Sequence, residues 1–545
     1  MGTSHRRPGE SGAVNTMLAK TDNTVELQRQ AVQAAIDSSN SATDRNRLGQ
    51  FATPPHLAID IARFVGSHIG SGGIHFADPA VGSGSFYSAA IAVFGSERIK
   101  SAIGVEIDVT FADAARKLWS DVGLEVLHGD FTRVVANGAR PKAPNLILAN
   151  PPYVRHHHIN RCEKERLKEL VFRLTGVEMN GLAGLYCYFL LLATSWLEND
   201  GYAAWLIPSE FMDVNYGASI KRFLTNCVTL IRVHRFDPDE VQFGDALVSS
   251  AVLVLKKTPP SSDHKIEFTF GGSLSEPQAR DRISLDQLRE SRKWTIYPSH
   301  TKNDRHTISD GHGPTLADFF KVQRGIATGD NKFFILERAE AQRRALPKKY
   351  LRPILPSPRF LKTTIIEPDD EGFPLIEQQL CVIDCDLPEH VVERQHPALW
   401  EYLQTAEALG VKNGYLVGKR SPWYKQERRE PSPFLCTYMG RGSADKQPFR
   451  FIWNRSLAIG SNLYLMLYPL KCLKSMLVRH PERYKAVHKL LGEVTGYELR
   501  GEGRVYGGGL NKIEPSELGR ISVLPFVDLW PELLFETAKQ GSLFG

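Results

Sequence analysis

"FADPAVGSGSF", residues 76–86, carries an apolar run into an acidic residue, Asp78, and turns on Gly82 and Gly84 before the helical pattern "SFYSAAIAVF" begins. Glycines at such a turn accept dihedrals that other residues resist and let backbone N–H groups approach a ligand. The same alternation continues on both sides. "HLAIDIARFVGSHI" (56–69) reads as a helix and "IHFAD" (74–78) as the strand before the turn. Downstream come strand "SAIGVEI" (101–107), helix "FADAARKLWSDV" (111–122), and strands "EVLHGD" (125–130) and "NLILAN" (145–150). Helix "YCYFLLLATSWL" (186–197), strand "GYAAWLIP" (201–208) and helix "SIKRFLTNC" (219–227) follow. Strands interleaved with helices of this length predict an α/β fold, a doubly wound, mostly parallel, Rossmann-like sheet.

Such sheets bind ligands at the carboxyl ends of their strands. The unusual polar residues of this half all fall there: Asp78, Glu106, Asp130 and Asn150. A phosphate-cradling P-loop needs Lys followed by Ser or Thr after the glycines, and the chain has "GSGSFYS". A dinucleotide turn wants a third glycine where Tyr87 stands, and Asp78 would repel a pyrophosphate. A glycine turn without any ligand is the plain alternative. A nucleoside with a cationic, amino-acid-like end fits better, because Asp78 and Pro79 then face an ammonium, Glu106 the ribose hydroxyls, and Phe131 beside Asp130 covers a ring. S-adenosylmethionine has that shape.

"NPPY", Asn150, Pro151, Pro152 and Tyr153, follows the buried-strand composition "NLILA". A turn ending a strand would explain the prolines. It would not explain their place at the same sheet edge as the three acids. An exocyclic or amide nitrogen is a poor nucleophile because its lone pair is delocalised, and two acceptors aimed at its N–H bonds free that pair. The Asn150 side-chain oxygen and the Pro151 carbonyl, whose direction the next proline restricts, are suitable acceptors, and Tyr153 offers a flat face. This is catalysis by positioning and electrostatics, with neither a metal nor a covalent intermediate.

"DPAVGSGSF", "GVEID", "HGDF" and "NPPY", in this order and ahead of a long C-terminal region, resemble the gamma-class adenine-N6 DNA methyltransferases of restriction-modification systems, the TaqI and PstI/BsuBI methylase type. The resemblance spans roughly residues 45–257. It includes "QFATPP", where Thr53 and Pro54 match a cofactor-contacting motif, and "DEVQFGDALVSSAVLVL", where Phe243 falls at the position of the ring that stacks on a flipped adenine. It implies that Asp78, Gly82 and Gly84 hold the methionine part of the cofactor, Glu106 its ribose, and Asp130 and Phe131 its adenine. Asn150, Pro151, Tyr153 and Phe243 would hold the target base. The implied activity is site-specific adenine-N6 methylation of double-stranded DNA (EC 2.1.1.72), with S-adenosylmethionine as cofactor and no metal. NPPY also occurs in protein-glutamine and RNA methyltransferases, so these stay open, as does a cofactor-bound DNA-binding protein without catalysis.

At 545 residues and 42% hydrophobic composition the chain exceeds what one core usually organises. The expected layout is a disordered polar tail at 1–20, a catalytic domain at 21–257, a connector at 258–312 bounded by "KKTPPSSDHK" and "SHTKNDRHTISDGHG", and a mixed α+β target-recognition domain at 313–545. The last region mixes Arg and Lys with aromatics and glycines, and the net charge of +6 permits a polyanionic partner. Arg155 in the catalytic domain and Arg324, Lys419, Arg420, Arg441 and Arg504 in this last region are the candidate DNA contacts, although solvated loops would show the same composition. "FKVQRGIATGDNKFFIL" and "YGGGLNKIEPSELGRISVLP" resemble segments of the recognition domains of these methylases.

His156, His157 and His158 invite a metal, yet adjacent histidines in a loop converge poorly on one ion, and Cys381 and Cys385 have no second pair at zinc-ribbon spacing. "EPDDEG" (367–372) is acidic without a nuclease-like lysine partner, so cleavage is expected of a separate endonuclease. Seven sparse cysteines fit a reducing compartment, and no signal-peptide core or membrane-length apolar run is present. A cytoplasmic, nucleoid-associated prokaryotic protein is expected.

Overall fold

The computed structural model describes residues 10–39, 49–136, 143–237, 249–298, 314–441, 448–494, 499, 503–506 and 510–533, with the side chains of 10–23 and 504–506 left aside. Nine strands form one sheet in the first unit: β1 (Ile74–Asp78), β2 (Ile99–Glu106), β3 (Leu124–His128), β4 (Leu146–Ala149), β5 (Tyr202–Pro208), β6 (Thr229–Arg235), β7 (Ser250–Lys256), β8 (Lys265–Gly272) and β9 (Pro277–Ser284). Their order is β3-β2-β1-β4-β5-β7-β6-β8-β9. β1 to β5 run parallel, whereas β7 lies antiparallel between β5 and β6. Strands are added to one side of β1 up to β3 and then to its other side from β4, so a crevice opens at the carboxyl ends of β1 and β4.

Each helix of the alternation is present: α2 (Pro55–Gly66), α3 (Ser85–Phe94), α4 (Val109–Trp119), α5 (Phe131–Ala136), α6 (Arg161–Thr175), α7 (Leu185–Trp196), α8 (Ala218–Asn226) and α9 (Leu285–Glu290), after an N-terminal α1 (Glu10–Ser39). β4 reads as unbroken hydrophobe, "LILA", because both its faces are covered, and all four residues are buried. One face packs against α7, whose Tyr186 to Trp196 are almost wholly buried, and the other against α2 and α3. α5 begins on Phe131 directly after Asp130, and α6 is capped by Asn160, whose side chain accepts from the Glu163 N–H at 2.9 Å.

Two boundaries differ from the layout expected of the sequence. Residues 10–20, expected to be disordered, lie within α1, a helix that contacts α3 and α4. Residues 258–298 of the expected connector are part of the first unit. β8 pairs in parallel with β6, β9 closes the edge, and Trp294 is fully buried among Phe211 and Phe268. The Arg232 guanidinium carries this junction: its Nε donates to Glu267 on β8 at 2.7 Å while its face lies 3.8 Å from the Phe64 ring centroid. Chain contacts divide the protein into residues 1–307 and 308–545.

The second unit is mixed α+β. Its five-stranded sheet runs in the order Phe320–Arg324, Tyr464–Pro469, Phe434–Thr437, Phe451–Asn454 and Ile365–Ile366, antiparallel except for the last pair. Two three-stranded sheets accompany it, and two apolar clusters, around Tyr424 and around Phe434, form its core. Among the described residues no helix is long and apolar enough to cross a membrane.

Candidate active site

β1 ends on Asp78, which is 1% exposed and accepts from the Ala80 N–H at 3.0 Å. Burial, reinforced by the nearby Glu106 carboxylate and only partly offset by that hydrogen bond, pushes its pKa up to about 8. At the end of β2, Glu106 accepts from the Gly82 N–H through one oxygen and from the Asp108 N–H through the other, both at 2.9 Å. Burial raises its pKa too. Two desolvated acids one strand apart suit a ligand that brings positive charge and hydroxyl donors.

The turn between them needs its glycines for different reasons. Gly82 (φ +54°) has open space where a Cβ would stand, whereas Gly84 (φ +93°) would put one 2.3 Å from Trp119 Nε1. Past β3, Asp130 accepts from the Thr132 N–H at 2.9 Å and from its hydroxyl at 2.8 Å. Arg166 of α6 donates to that hydroxyl at 2.6 Å. Phe131 is 2% exposed and lies edge-on to Trp196, with ring centroids 4.9 Å apart.

Asn150 follows β4. Its Nδ2 donates to the Phe51 carbonyl at 2.8 Å and to Thr53 Oγ1 at 3.1 Å. A carbonyl only accepts, so the amide nitrogen must face it, and this fixes the other arm as oxygen. That oxygen is buried without a partner among the described residues. Such an atom costs about 1–3 kcal/mol unless a ligand satisfies it.

These elements enclose a cavity of about 380 Å³ lined by Thr53, Asp78, Pro79, Gly82, Glu106, Asp130, Phe131, Asn150 and Pro152, among others. Gly84, Pro54, Pro151 and Tyr153 do not line it. Tyr153 is 7% exposed, donates from its hydroxyl to the Leu206 carbonyl at 3.1 Å, and packs 5.4 Å from the Phe51 ring. Its N–H donates to the Gly49 carbonyl at 3.0 Å. Phe243 lies outside the described residues.

Wall residues also come from places that sequence reading missed. Gln33 and Asp37 of α1, Phe111 of α4, Asn160 and Glu163 at the start of α6, and Phe189 of α7 all line the cavity. For α1 a signal existed: Arg29, Gln33 and Asp37 recur every four residues on one face. The three histidines form a single 3-10 turn before α6, with His158 at the cavity wall. Among the described residues no group of three or more His, Cys, Asp or Glu is placed to hold a metal.

Of the basic candidates, Arg155, Arg324, Lys419 and Arg441 are exposed. Arg324 lies over the Tyr438 ring at 4.0 Å and Lys419 over Tyr415 at 4.0 Å. Arg420 has a structural position, donating to the Ala327 and Thr328 carbonyls, each at 2.6 Å. The side chain of Arg504 is outside the described set. In "EPDDEG", Asp369 and Glu371 are paired with Arg338 at 2.5 and 2.6 Å, so these acids brace the fold of the second unit.

Comparison with known proteins accords with this architecture. Residues 144–242 match the family described as Eco57I restriction-modification methylase, and residues 291–540 match the C-terminal domain of the Type II methyltransferase M.Eco57I. The Type II methyltransferase M.AccI of Acinetobacter calcoaceticus is 25% identical over 91% of this chain and 89% of its own length. M.XamI of Xanthomonas campestris pv. amaranthicola is 25% identical over 82% of this chain and 80% of its own. Among solved structures, the Type IIL restriction-modification enzyme MmeI in complex with DNA overlays with a TM-score of 0.50 at 13% identity, over 78% of this chain. This chain spans 60% of that protein's length, and 62% of the Type IIG endonuclease BpuSI. Two models of one enzyme family match in order and two Type II methyltransferases are related along most of the chain, so the protein is similar to the Eco57I-type restriction-modification methylases over most of its length.

Proposed function

We propose that this chain is a site-specific DNA methyltransferase that transfers a methyl group from S-adenosylmethionine to N6 of an adenine swung out of duplex DNA. The observation that carries this reading is the Asn150 amide, held by Phe51 and Thr53 so that its buried oxygen has an acceptor site to offer. An amino group donating to that oxygen, and to the Pro151 carbonyl as second acceptor, is drawn towards tetrahedral geometry with its lone pair directed away from the ring. Tyr153 and Phe243 would flank the base.

The cavity residues fit the cofactor. Buried Asp78 is a neutral acid in want of a cation, which the amino-acid end provides, and Glu106 retains lone pairs for ribose hydroxyls. Asp130 and Phe131 mark the adenine end. Bound there, the cofactor supplies an electrophilic methyl group. The chain's residues exclude water from it and orient the acceptor nitrogen. The second unit, with exposed Arg324, Lys419 and Arg441, would select the site on double-stranded DNA, and cleavage would belong to a separate endonuclease. The test is to express the chain in a host lacking adenine methylation and sequence its DNA for N6-methyladenine. One fully modified motif is expected, lost in Asn150→Ala; modified cytosine, labelled RNA or labelled protein in its place would overturn the adenine assignment.

A further inference from the structure

Along one face of α1, at spacings of three and four, stand Glu26, Arg29, Gln33 and Asp37. Arg29 is 2% exposed and donates to the Glu26 carboxylate at 2.8 and 2.7 Å and to Ser83 Oγ at 3.0 Å. Ser83, itself 2% exposed, lies between the two glycines of the β1 turn and donates to Gln33 Oε1 at 2.7 Å. Gln33 Nε2 then donates to both oxygens of Asp37 at 3.1 Å. A hydrogen-bonded line therefore runs from a buried ion pair, through the glycine turn, to a carboxylate on the cavity wall, and Ser83, Gln33 and Asp37 all line that cavity.

Docking a helix does not call for such a line. Burying a guanidinium costs several kcal/mol that its pairing only offsets, and apolar side chains would pack α1 as well or better. What the line does accomplish is orientation: it fixes the Ser83 hydroxyl, the Gln33 amide and the Asp37 carboxylate relative to the turn after β1. The amino-acid end of S-adenosylmethionine carries one ammonium and one carboxylate. A carboxylate on the wall attracts the first and repels the second, while N–H groups of a glycine turn suit the second.

We infer that α1 is part of the cofactor site, with Asp37 joining Asp78 in receiving the α-ammonium of the amino-acid end and Arg29 acting as a positioning residue through Ser83 and Gln33. This rests on the reading of the cavity as an S-adenosylmethionine site, in which the β1 turn holds the methionine part.

Calorimetric binding to the full chain separates the two claims. S-adenosylmethionine, S-adenosylhomocysteine and 5′-methylthioadenosine are titrated, the last lacking the amino-acid end. If the unaltered chain fails to bind S-adenosylmethionine, the cofactor reading itself falls. If it binds, Asp37→Asn is expected to weaken the first two ligands by about tenfold to a hundredfold and to leave methylthioadenosine within about twofold. The melting temperature without ligand stays unchanged. In methyl transfer, KM for the cofactor rises while kcat at saturation holds. Gln33→Leu, which cannot hold Asp37, shows the same ligand pattern, and Arg29→Lys retains part of the affinity that Arg29→Met loses. Unaltered binding in Asp37→Asn, or an equal loss for methylthioadenosine, overturns the inference.

Discussion

The indole N–H of Trp119 donates to the carbonyl of Ser83 at 2.8 Å, tying the last turn of α4 to the glycine turn after β1. The same ring leaves no room for a side chain at residue 84, where a Cβ would approach Nε1 to 2.3 Å at a φ of +93°. Gly84→Ala is expected to destabilise the first unit by about 2 kcal/mol or more, from left-handed strain and displacement of Trp119 together. Trp119→Phe leaves the Ser83 carbonyl without its donor, at about 1–3 kcal/mol. Chemical denaturation followed by circular dichroism reads both, and an unchanged midpoint for Gly84→Ala would contradict the packing described.

Under the proposed function, Asn150→Ala removes an acceptor for the reacting amino group and none of the side chains assigned to the cofactor. Methyl transfer at saturating cofactor should fall by about 10²–10³, equivalent to roughly 3–4 kcal/mol of transition-state stabilisation. S-adenosylmethionine affinity by calorimetry should stay near that of the parent chain.

Asp78 predicts a pH dependence whose sign follows from its raised pKa of about 8 against 3.8 in a free side chain. Between those values the folded chain without ligand holds a proton that the unfolded chain has released, so this group's contribution makes stability fall as pH rises through the window. An ammonium ligand favours the ionised form, so binding expels the proton. Cofactor affinity should therefore climb from pH 6 to 8, by at most about tenfold per unit, and level off above. Asp78→Asn should flatten the profile. Titrations in buffers of different ionisation enthalpy measure the proton released.

The edge of the nine-stranded sheet sets where the first unit can be cut. A chain ending at residue 257 exposes the β6 edge, leaves Arg232 without Glu267, and uncovers the pocket that Trp294 fills. It should aggregate, whereas a chain ending at residue 298 should be soluble and unfold cooperatively. Soluble yield and thermal denaturation distinguish the two.

Lys419 and Arg420 are neighbours with different work. Lys419 is exposed, so Lys419→Ala should leave stability alone and, if it meets a phosphate, lower the salt slope of DNA binding by about one. Arg420 braces the carbonyls of Ala327 and Thr328, so Arg420→Ala should lower the denaturation midpoint of the second unit, by about 1–3 kcal/mol. Filter binding across salt concentrations and denaturation of each variant provide the comparison.

Strand ends were legible in the sequence because a buried parallel strand is continuous hydrophobe and stops at a polar residue. "IHFAD" and "SFYSAAIAVF" match the bounds of β1 and α3 residue for residue. Asp78, Glu106, Asp130 and Asn150, read as lying on one edge, do line one cavity. What escaped reading depends on pairing at a distance. Nothing local in "KIEFTFGG" says that it adds to β6, since its nearest neighbour along the chain is β7. Residues 1–20 looked free because they are polar, whereas α1 already begins at Glu10, and further along that helix Arg29 is buried against a serine 54 residues away. Nor does composition encode the packing that holds Tyr153, whose ring lies against those of Phe51 and Tyr186.

The anchor of Asn150 at Phe51 is a main-chain carbonyl, and a carbonyl is indifferent to the side chain beside it. Residue 51 can therefore change identity, and with it the ring packed against Tyr153, while the aim of the amide is retained. The aim of the amide and the shape of the neighbouring wall are separable here, so substitutions at residue 51 can reshape the wall without moving the amide.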